Sequence, residues 1–331
     1  MIGCSRWLRL PWLCMLALAL AGAAHAQVYP SRPVTMVVPF PAGGPADTIA
    51  RILSERMRAP LGQPIIVENL GGAGGSIAVG RVAHAAPDGY TLCLGNWTSH
   101  IGGPVIYPVQ FDILRDLAPV SLLPTAPLSI AAHRSVPAND LRELVDWLKA
   151  NPDKATAGTV GAGSPSHISS LHFQNVTGTR IQLVPYRGGA PATQDLLSGQ
   201  IHLRIGGEAS VTLPYLRSGQ IKVLAVLGKT RWSAAPDIPT TDEAGIAGLN
   251  MSLWFGLWVP KDTPAKVIAT LNAAVAETLA DPAVRERFAR LGQVIPPREQ
   301  QTPEALYAFH KAEIERWWPI IRAANIRPPG N

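Results

Sequence analysis

Short β-rich runs alternate with helical segments along almost all of this 331-residue chain, and that alternation confines it to layered α/β architecture. Strands are expected at 34–38, 65–68, 91–94, 120–123, 128–132, 182–185, 201–205, 223–227 and 252–259. Helical spacing falls between them at 46–58, 76–85, 141–150, 166–176, 190–198 and 212–218. Such an order predicts largely parallel sheets. The C-terminal part turns helical: Thr263 is placed to cap a helix with Pro264 as its first residue, running to Leu279. Asp281-Pro282 restarts it, Gly292 ends it, and Thr302-Pro303 opens a last helix. That helix carries Leu306, Phe309, Ile314, Trp317 and Trp318, a stripe suited to core packing.

The first 26 residues stand outside this pattern. Arg6 and Arg9 form a basic start, 10–21 is apolar, and Ala24-His25-Ala26 offers a small-x-small cleavage site, the pattern of a secretory signal peptide. Its apolar stretch is short for a bilayer span. Removing it lowers the net charge from +6 to +4, 27 basic residues against 23 acidic. No Lys/Arg run stands out, and the basic stripe with interleaved aromatics that nucleic acid requires is absent. Cys4 and Cys14 leave with the leader, so Cys93 is alone in an apolar strand as a small core residue. Without intramolecular disulfides, stability in an oxidising compartment rests on a large packed core.

Two stretches read as crossings between lobes. One is 118–132, extended and broken by Pro124 and Pro127; the other is 251–259, flanked by a glycine-rich turn at 244–248 and by Pro260. The chain then divides into a signal peptide (1–26), the first part of lobe one (27–124), lobe two (125–250), and a return to lobe one with the C-terminal helices (251–331).

Four glycine-punctuated helix starts, at 40–47, 71–76, 161–167 and 186–193, are where chemistry is expected. A strand that delivers a glycine turn to a helix start leaves backbone N–H groups aimed outward, and the helix dipole favours negative charge there. Any one of them alone is an ordinary βα turn. Four together matter more, because in an open α/β sheet such turns gather at the carboxyl ends of strands, where ligands bind. The third also brings Ser164, Ser166 and His167 beside N–H groups, a set suited to a carboxylate or its bridging water.

Competing chemistries lack their parts. The stretch from Gly75 to Val82 has the glycine spacing of a phosphate loop, but Arg81 replaces the lysine and Val82 the hydroxyl. Gly72-Ala73-Gly74-Gly75 lacks the third glycine of a dinucleotide fingerprint, since Ile77 stands there. No Gly-x-Ser-x-Gly elbow and no His-Glu-x-x-His occur, and Ser166-His167 adjacency makes no triad. His167 and His172, five apart, face different sides of a helix. No catalytic residue, metal or cofactor is therefore expected. Trp97, with Thr98 and Ser99 after a strand end, suits stacking on a planar ligand and equally suits anchoring a loop over the core. Trp254 and Trp258 fall on one face of the return crossing and Phe255 on the other.

The residues also carry a family resemblance. Tyr29-Pro30-Ser31-Arg32-Pro33, Val38-Pro39-Phe40-Pro41-Ala42-Gly43-Gly44-Pro45-Ala46-Asp47, Leu61-Gly62-Gln63-Pro64 and Val67-Glu68-Asn69 with Gly71-Gly72-Ala73-Gly74-Gly75 stand in order. Ala86-Pro87-Asp88-Gly89-Tyr90-Thr91-Leu92, Val184-Pro185-Tyr186-Arg187-Gly188, Pro236-Asp237-Ile238-Pro239-Thr240 and Trp254-Phe255-Gly256-Leu257 follow. In these the chain resembles the Bug or TctC family of extracytoplasmic solute-binding proteins, which serve tripartite tricarboxylate transporters. The resemblance implies a type II periplasmic binding protein fold: two α/β lobes, two crossing strands as hinge, and a ligand cleft between. It further implies a carboxylate held largely by backbone N–H groups and water. The ligand-binding set it implies is Phe40, Ala42, Gly43, Gly44 and Asp47 on the first loop, with Asp47 ordering it, and Ser164, Ser166 and His167 on the second. Tyr186 and Arg187 lie on a third motif, and Trp97, Thr98 and Ser99 complete the set.

One departure stands out. Where the family has a hydrophobic-Phe-Asp segment, this chain reads Gly199-Gln200-Ile201-His202-Leu203-Arg204-Ile205-Gly206-Gly207-Glu208, one residue longer and without the acid expected near Gly206. Loss of that acid argues against a ligand ammonium, unless Glu208 takes its place. Trp97 also replaces a residue that is small in the family. The resemblance thus implies a monomeric periplasmic receptor, not an enzyme, for a di- or tricarboxylate or an aromatic acid without an amine, delivered to membrane permease subunits. A sensor feeding a membrane signalling protein, or a secreted hydrolase, are the other classes.

Overall fold

Strand β1 (Val34–Val38) buries Val34, Met36, Val37 and Val38 completely, which requires cover on both faces. The computed structural model describes residues 29–326, so the leader expected over 1–26 lies outside the described residues. From β1 the chain runs through α1 (Pro45–Leu61), β2 (Ile65–Asn69), α2 (Ser76–Ala83), β3 (Thr91–Asn96) and a short α3 (Gly103–Ile106). Then follow β4 (Leu117–His133), α4 (Leu141–Ala150), β5 (Thr156–Thr159), α5 (Pro165–Thr177), β6 (Gln182–Pro185) and α6 (Gly189–Ser198). The remainder is β7 (Leu203–Glu208), α7 (Ala209–Arg217), β8 (Ile221–Val226), β9 (Ser252–Pro260), α8 (Ala265–Ala280), α9 (Pro282–Arg290) and α10 (Pro303–Ala323).

The strand order is β2-β1-β3-β9-β4-β7-β5-β6, with β8 also on β4. Strands β1, β2, β3 and β9 pair in one sheet and β5 to β8 in the other, and β4 runs through both. The sheets are mixed rather than largely parallel. The β1–β2, β1–β3, β5–β6 and β5–β7 pairs are parallel, whereas every antiparallel pair involves β4 or β9. The reason is directional: these two strands run across the lobes opposite to the βαβ units they join. What the pattern splits into two strands at 120–123 and 128–132 is the single 17-residue β4. Its first part, Leu117 to Pro127, pairs with β9, and the rest pairs with β7 and β8. Prolines loosen the ladder without ending it: the register shifts between Leu122 and Thr125, around Pro124. Thr125 N–H turns to Val294 O at 2.9 Å, and Val294 N–H returns the bond at 2.8 Å.

Other departures are local. Pro264, not Thr263, precedes α8; the Thr263 hydroxyl instead donates to Pro260 O at 2.7 Å, closing a turn one residue early. Asp281 does cap α9, accepting from Ala283 and Val284 N–H, and Thr302 caps α10 through Ala305 N–H. The α10 stripe packs inward: Trp317 is buried edge-on to Trp97 at 5.8 Å, and half-buried Phe309 stands edge-on to Trp254 at 5.3 Å. Trp254 and Trp258 lie 6.2 Å apart, both buried, with Trp254 Nε1–H donating to Glu313 Oε2 at 2.9 Å. Cys93 is a buried free thiol pushed up to about 12 by burial.

Candidate functional site

The first glycine turn is held by its own helix. Asp47, third residue of α1, is buried, and its Oδ2 accepts from Gly43 N–H at 2.9 Å and from Arg51 Nε–H at 2.8 Å. The Arg51 bond foremost, with the Gly43 N–H behind it, holds this carboxyl below the usual range, against the opposing effect of burial. Asn69, at the end of β2, fixes the other side by donating to Phe40 O at 3.1 Å. Pro45 has no N–H, and the first helical N–H to be bonded is that of Thr48, to Gly44 O at 2.9 Å. Ala46 and Asp47 N–H have no hydrogen bond among the described residues. They stand at the positive end of a 17-residue helix, beside exposed Ala42 and Gly43.

Neighbouring turns pack against this one. A Cβ at Gly75 would lie 3.0 Å from Pro39 Cβ and 2.7 Å from Ser99 Cβ, so only glycine lets the second turn meet both the first and the turn after β3. Ser99 is buried and braces its turn: Asn96 N–H donates to Ser99 Oγ at 3.0 Å, and Ser99 N–H to Asn96 Oδ1 at 3.2 Å. Thr98 is half-buried in the same turn. After β3 the chain winds helically through Thr98–Gly102 into α3, which the sequence pattern does not predict. That winding swings Trp97 inward. Its ring is wholly buried on Trp317, so it anchors the loop and presents no face for stacking on a ligand.

The turn before α5 crosses to the other lobe. Ser164 caps α5, accepting from His167 N–H at 3.2 Å and donating to Gly161 O at 2.8 Å. Ser166 Oγ accepts from Val160 N–H at 3.0 Å and lies 3.1 Å from Ser164 Oγ; because Ser164 spends its proton on Gly161, Ser166 donates in that pair. Both hydroxyl protons are thus used inside the loop, where the two serines shape it. His167 Nδ1 accepts from Gly163 N–H at 3.3 Å, placing the proton of the neutral ring on Nε2, and burial lowers its pKa. The donors left for a ligand are this Nε2–H and Ser166 N–H, which has no bond among the described residues.

The lobes touch between these turns. A Cβ at Gly102 would stand 2.2 Å from Gly163 O, and one at Gly163 would stand 2.5 Å from Ile106 Cδ1. The contacts run from Pro39 through Gly75 and Ser99 to Gly102 and Gly163, joining the first turn to the third helix start.

The fourth start is only partly assembled into this group. Tyr186 donates to Asp195 Oδ2 at 2.6 Å, and burial with that acid pushes its phenol up to about 12. Arg187 is exposed and makes no ion pair among the described residues. A residue outside the expected set is more telling. Arg204, on β7, is 3% exposed, and its Nη1–H donates to Thr193 Oγ1 on α6 at 2.5 Å. A charge between Leu203 and Ile205 in an apolar strand was the signal for it.

Two α/β lobes bridged by paired strands, with open helix-start donors in each, have the architecture of a solute-binding protein of the periplasmic binding protein fold. Residues 49–326 match the family described as tripartite tricarboxylate transporter family receptor, TctC, and the chain belongs to that solute-binding family. Protein BugT of Bordetella pertussis is 35% identical over 312 residues, 93% of this chain and 94% of its own. Among solved structures, MatC from Rhodopseudomonas palustris with bound malate is 37% identical, covering 88% of this chain and all of its own, with a TM-score of 0.78. The R. palustris protein Rpa4515 with adipate is 31% identical, covering 91% and 99%, with a TM-score of 0.79.

Proposed function

We propose that this chain is exported, cleaved after its leader, and captures a small aliphatic di- or tricarboxylate in the periplasm for delivery to tripartite permease subunits, without turning it over. The observation that carries the reading is the unbonded Ala46, Asp47 and Ser166 N–H groups at two helix starts, one in each lobe, linked by the Gly102–Gly163 contact. The ligand set is Phe40, Ala42, Gly43, Gly44 and Asp47 with Ser164, Ser166, His167 and the Trp97–Ser99 turn. Within it Asp47, Ser99, Ser164 and Ser166 shape the loops, while backbone N–H groups and His167 Nε2–H meet the anion; Tyr186 and Arg187 border it. Lobe one comprises 27–124 and 251–331, lobe two 125–250, and the receptor works as a monomer.

Micromolar capture needs about 8 kcal/mol. One helix terminus supplies roughly 0.3–2 kcal/mol, so two cannot suffice. Closure of the lobes must dry the site and strengthen its hydrogen bonds. Malate in MatC and adipate in Rpa4515 support an aliphatic acid. A thermal-shift screen of the mature chain against mono-, di- and tricarboxylates and neutral sugars tests this. At least one carboxylate raises Tm; stabilisation by neutral sugars alone contradicts the reading.

A further inference from the structure

Arg204 does not fit the role of a structural cation. Its guanidinium is buried with one hydrogen bond, to Thr193 Oγ1, and Nε has no partner. No carboxylate lies within ion-pair distance among the described residues. Buried charges are normally paired, and one left open is costly. Its position sharpens the problem. A Cβ at Gly189, first residue of α6, would be 3.6 Å from Arg204 Nη2, so the cation sits against the positive end of a 10-residue helix. Gly189 and Ala190 N–H have no hydrogen bond among the described residues, and Gly188 offers no capping side chain. Positive charge and open donors converge on one place, the arrangement an anion requires.

The end of β7 is shaped to hold this group there. Gly206 is the extra residue of a bulge: Ser129 faces Gly207 and Ile130 faces Ile205, with Gly206 at φ +73° between. The bulge turns Gly207 under the guanidinium, where a Cβ would come within 3.1 Å of Cζ. Gly206 itself rests on the first turn of α5, where its Cβ would lie 3.1 Å from Pro165 O. Successive residues Gly206 and Gly207 thus place β7 against both the α5 start that bears Ser166 and His167 and the Arg204 guanidinium. The one acid nearby is Glu208, whose carboxyl burial pushes up and Arg204 pulls down. The same acid helps Arg204 keep its charge against burial.

We propose that Arg204, with the N-terminus of α6, binds a second carboxylate of the ligand, making this chain selective for acids with two anionic groups over their one-ended counterparts. This rests on the carboxylate-receptor reading. The planar fork can engage both oxygens of a carboxylate from Nε–H and Nη2–H, the unshared edge.

The test is calorimetry on the mature chain with succinate against butyrate, malate against lactate, and adipate against hexanoate. The wild type prefers at least one dianion over its partner by tenfold or more. Arg204→Gln binds the monoanion as before and brings the ratio to within about twofold. Arg204→Lys, which keeps charge but not the fork, gives an intermediate ratio and decides the matter if the glutamine variant fails to fold by circular dichroism. Equal wild-type binding of both partners, a wild-type ratio retained in a folded variant, or equal losses for both partners overturns the assignment. Absence of binding by any carboxylate overturns the receptor reading itself, a separable outcome.

Discussion

Gly102→Ala probes lobe contact with little else disturbed. Gly102 has φ −71° and ψ −48°, ordinary helical backbone in which alanine is favoured over glycine by roughly 0.5–1 kcal/mol. The new methyl would sit 2.2 Å from Gly163 O across the lobe contact, with Gly163 C at 3.1 Å and Trp97 Cζ3 at 3.3 Å. Ordinary contact starts near 3.4 Å, so the lobes must part there by 1.2 Å (3.4 less 2.2). Overpacking of this kind costs about 1–3 kcal/mol. Charged to the closed state alone, that is about a 5- to 150-fold rise in Kd. Titration calorimetry of the best carboxylate, with thermal unfolding of the free protein as control, reads both sides. A weakened Kd with an unchanged or raised Tm of the free protein is expected. Wild-type affinity in a folded Gly102→Ala protein would refute sealing of the lobes at this contact.

Asp47→Asn removes the charge that both Gly43 N–H and the α1 dipole favour, lowering stability by roughly 1–2 kcal/mol and weakening carboxylate binding; denaturant midpoints and calorimetry read the two effects. His100 and His310 are buried and their pKa values are lowered, His310 to about 4, by burial above all. The unfolded chain therefore binds more protons between pH 6.5 and 4, so stability is full above pH 6.5 and falls below it, by roughly 3 kcal/mol for His310 at pH 4. A Tm profile steeper in wild type than in His310→Phe over pH 6.5–5 is the expected result, and parallel profiles would contradict it. Cys93 should stay unreactive to a thiol reagent in the native protein and react in denaturant, because its thiol is buried and held protonated.

Where local chemistry decides, the sequence was legible. The β1, β6 and α4 ranges follow directly from β-rich runs and, for α4, from an amphipathic stripe capped by Asp140, whose Oδ1 accepts Glu143 N–H. Elements set by distant packing were not. β5 reads Thr-Ala-Gly-Thr, too small to show a pattern, because a Cβ at Gly158 would strike Ile201 at 2.6 Å. The winding from Thr98 to Ile106 hides behind Gly102, Gly103 and Pro104, residues that argue against helix. β7 ends later than the 201–205 pattern because the Gly206 bulge carries it on to Glu208. Candidate-site loops were visible as glycine turns, yet which hydroxyls are spent within them is a matter of three-dimensional bonding. Trp97 and Arg204 show the same limit: an aromatic just past one strand and a cation within another, whose burial only the fold reveals.

Anion capture at paired helix starts is tested most directly by charge deletion on the ligand. The carboxylate that best stabilises the mature chain is titrated by calorimetry beside its primary amide, the same shape without the charge. Losing charge-assisted bonds at two donor sets predicts an amide about 100-fold weaker or worse, roughly 2.7 kcal/mol. Amide and acid binding with equal affinity would contradict the account.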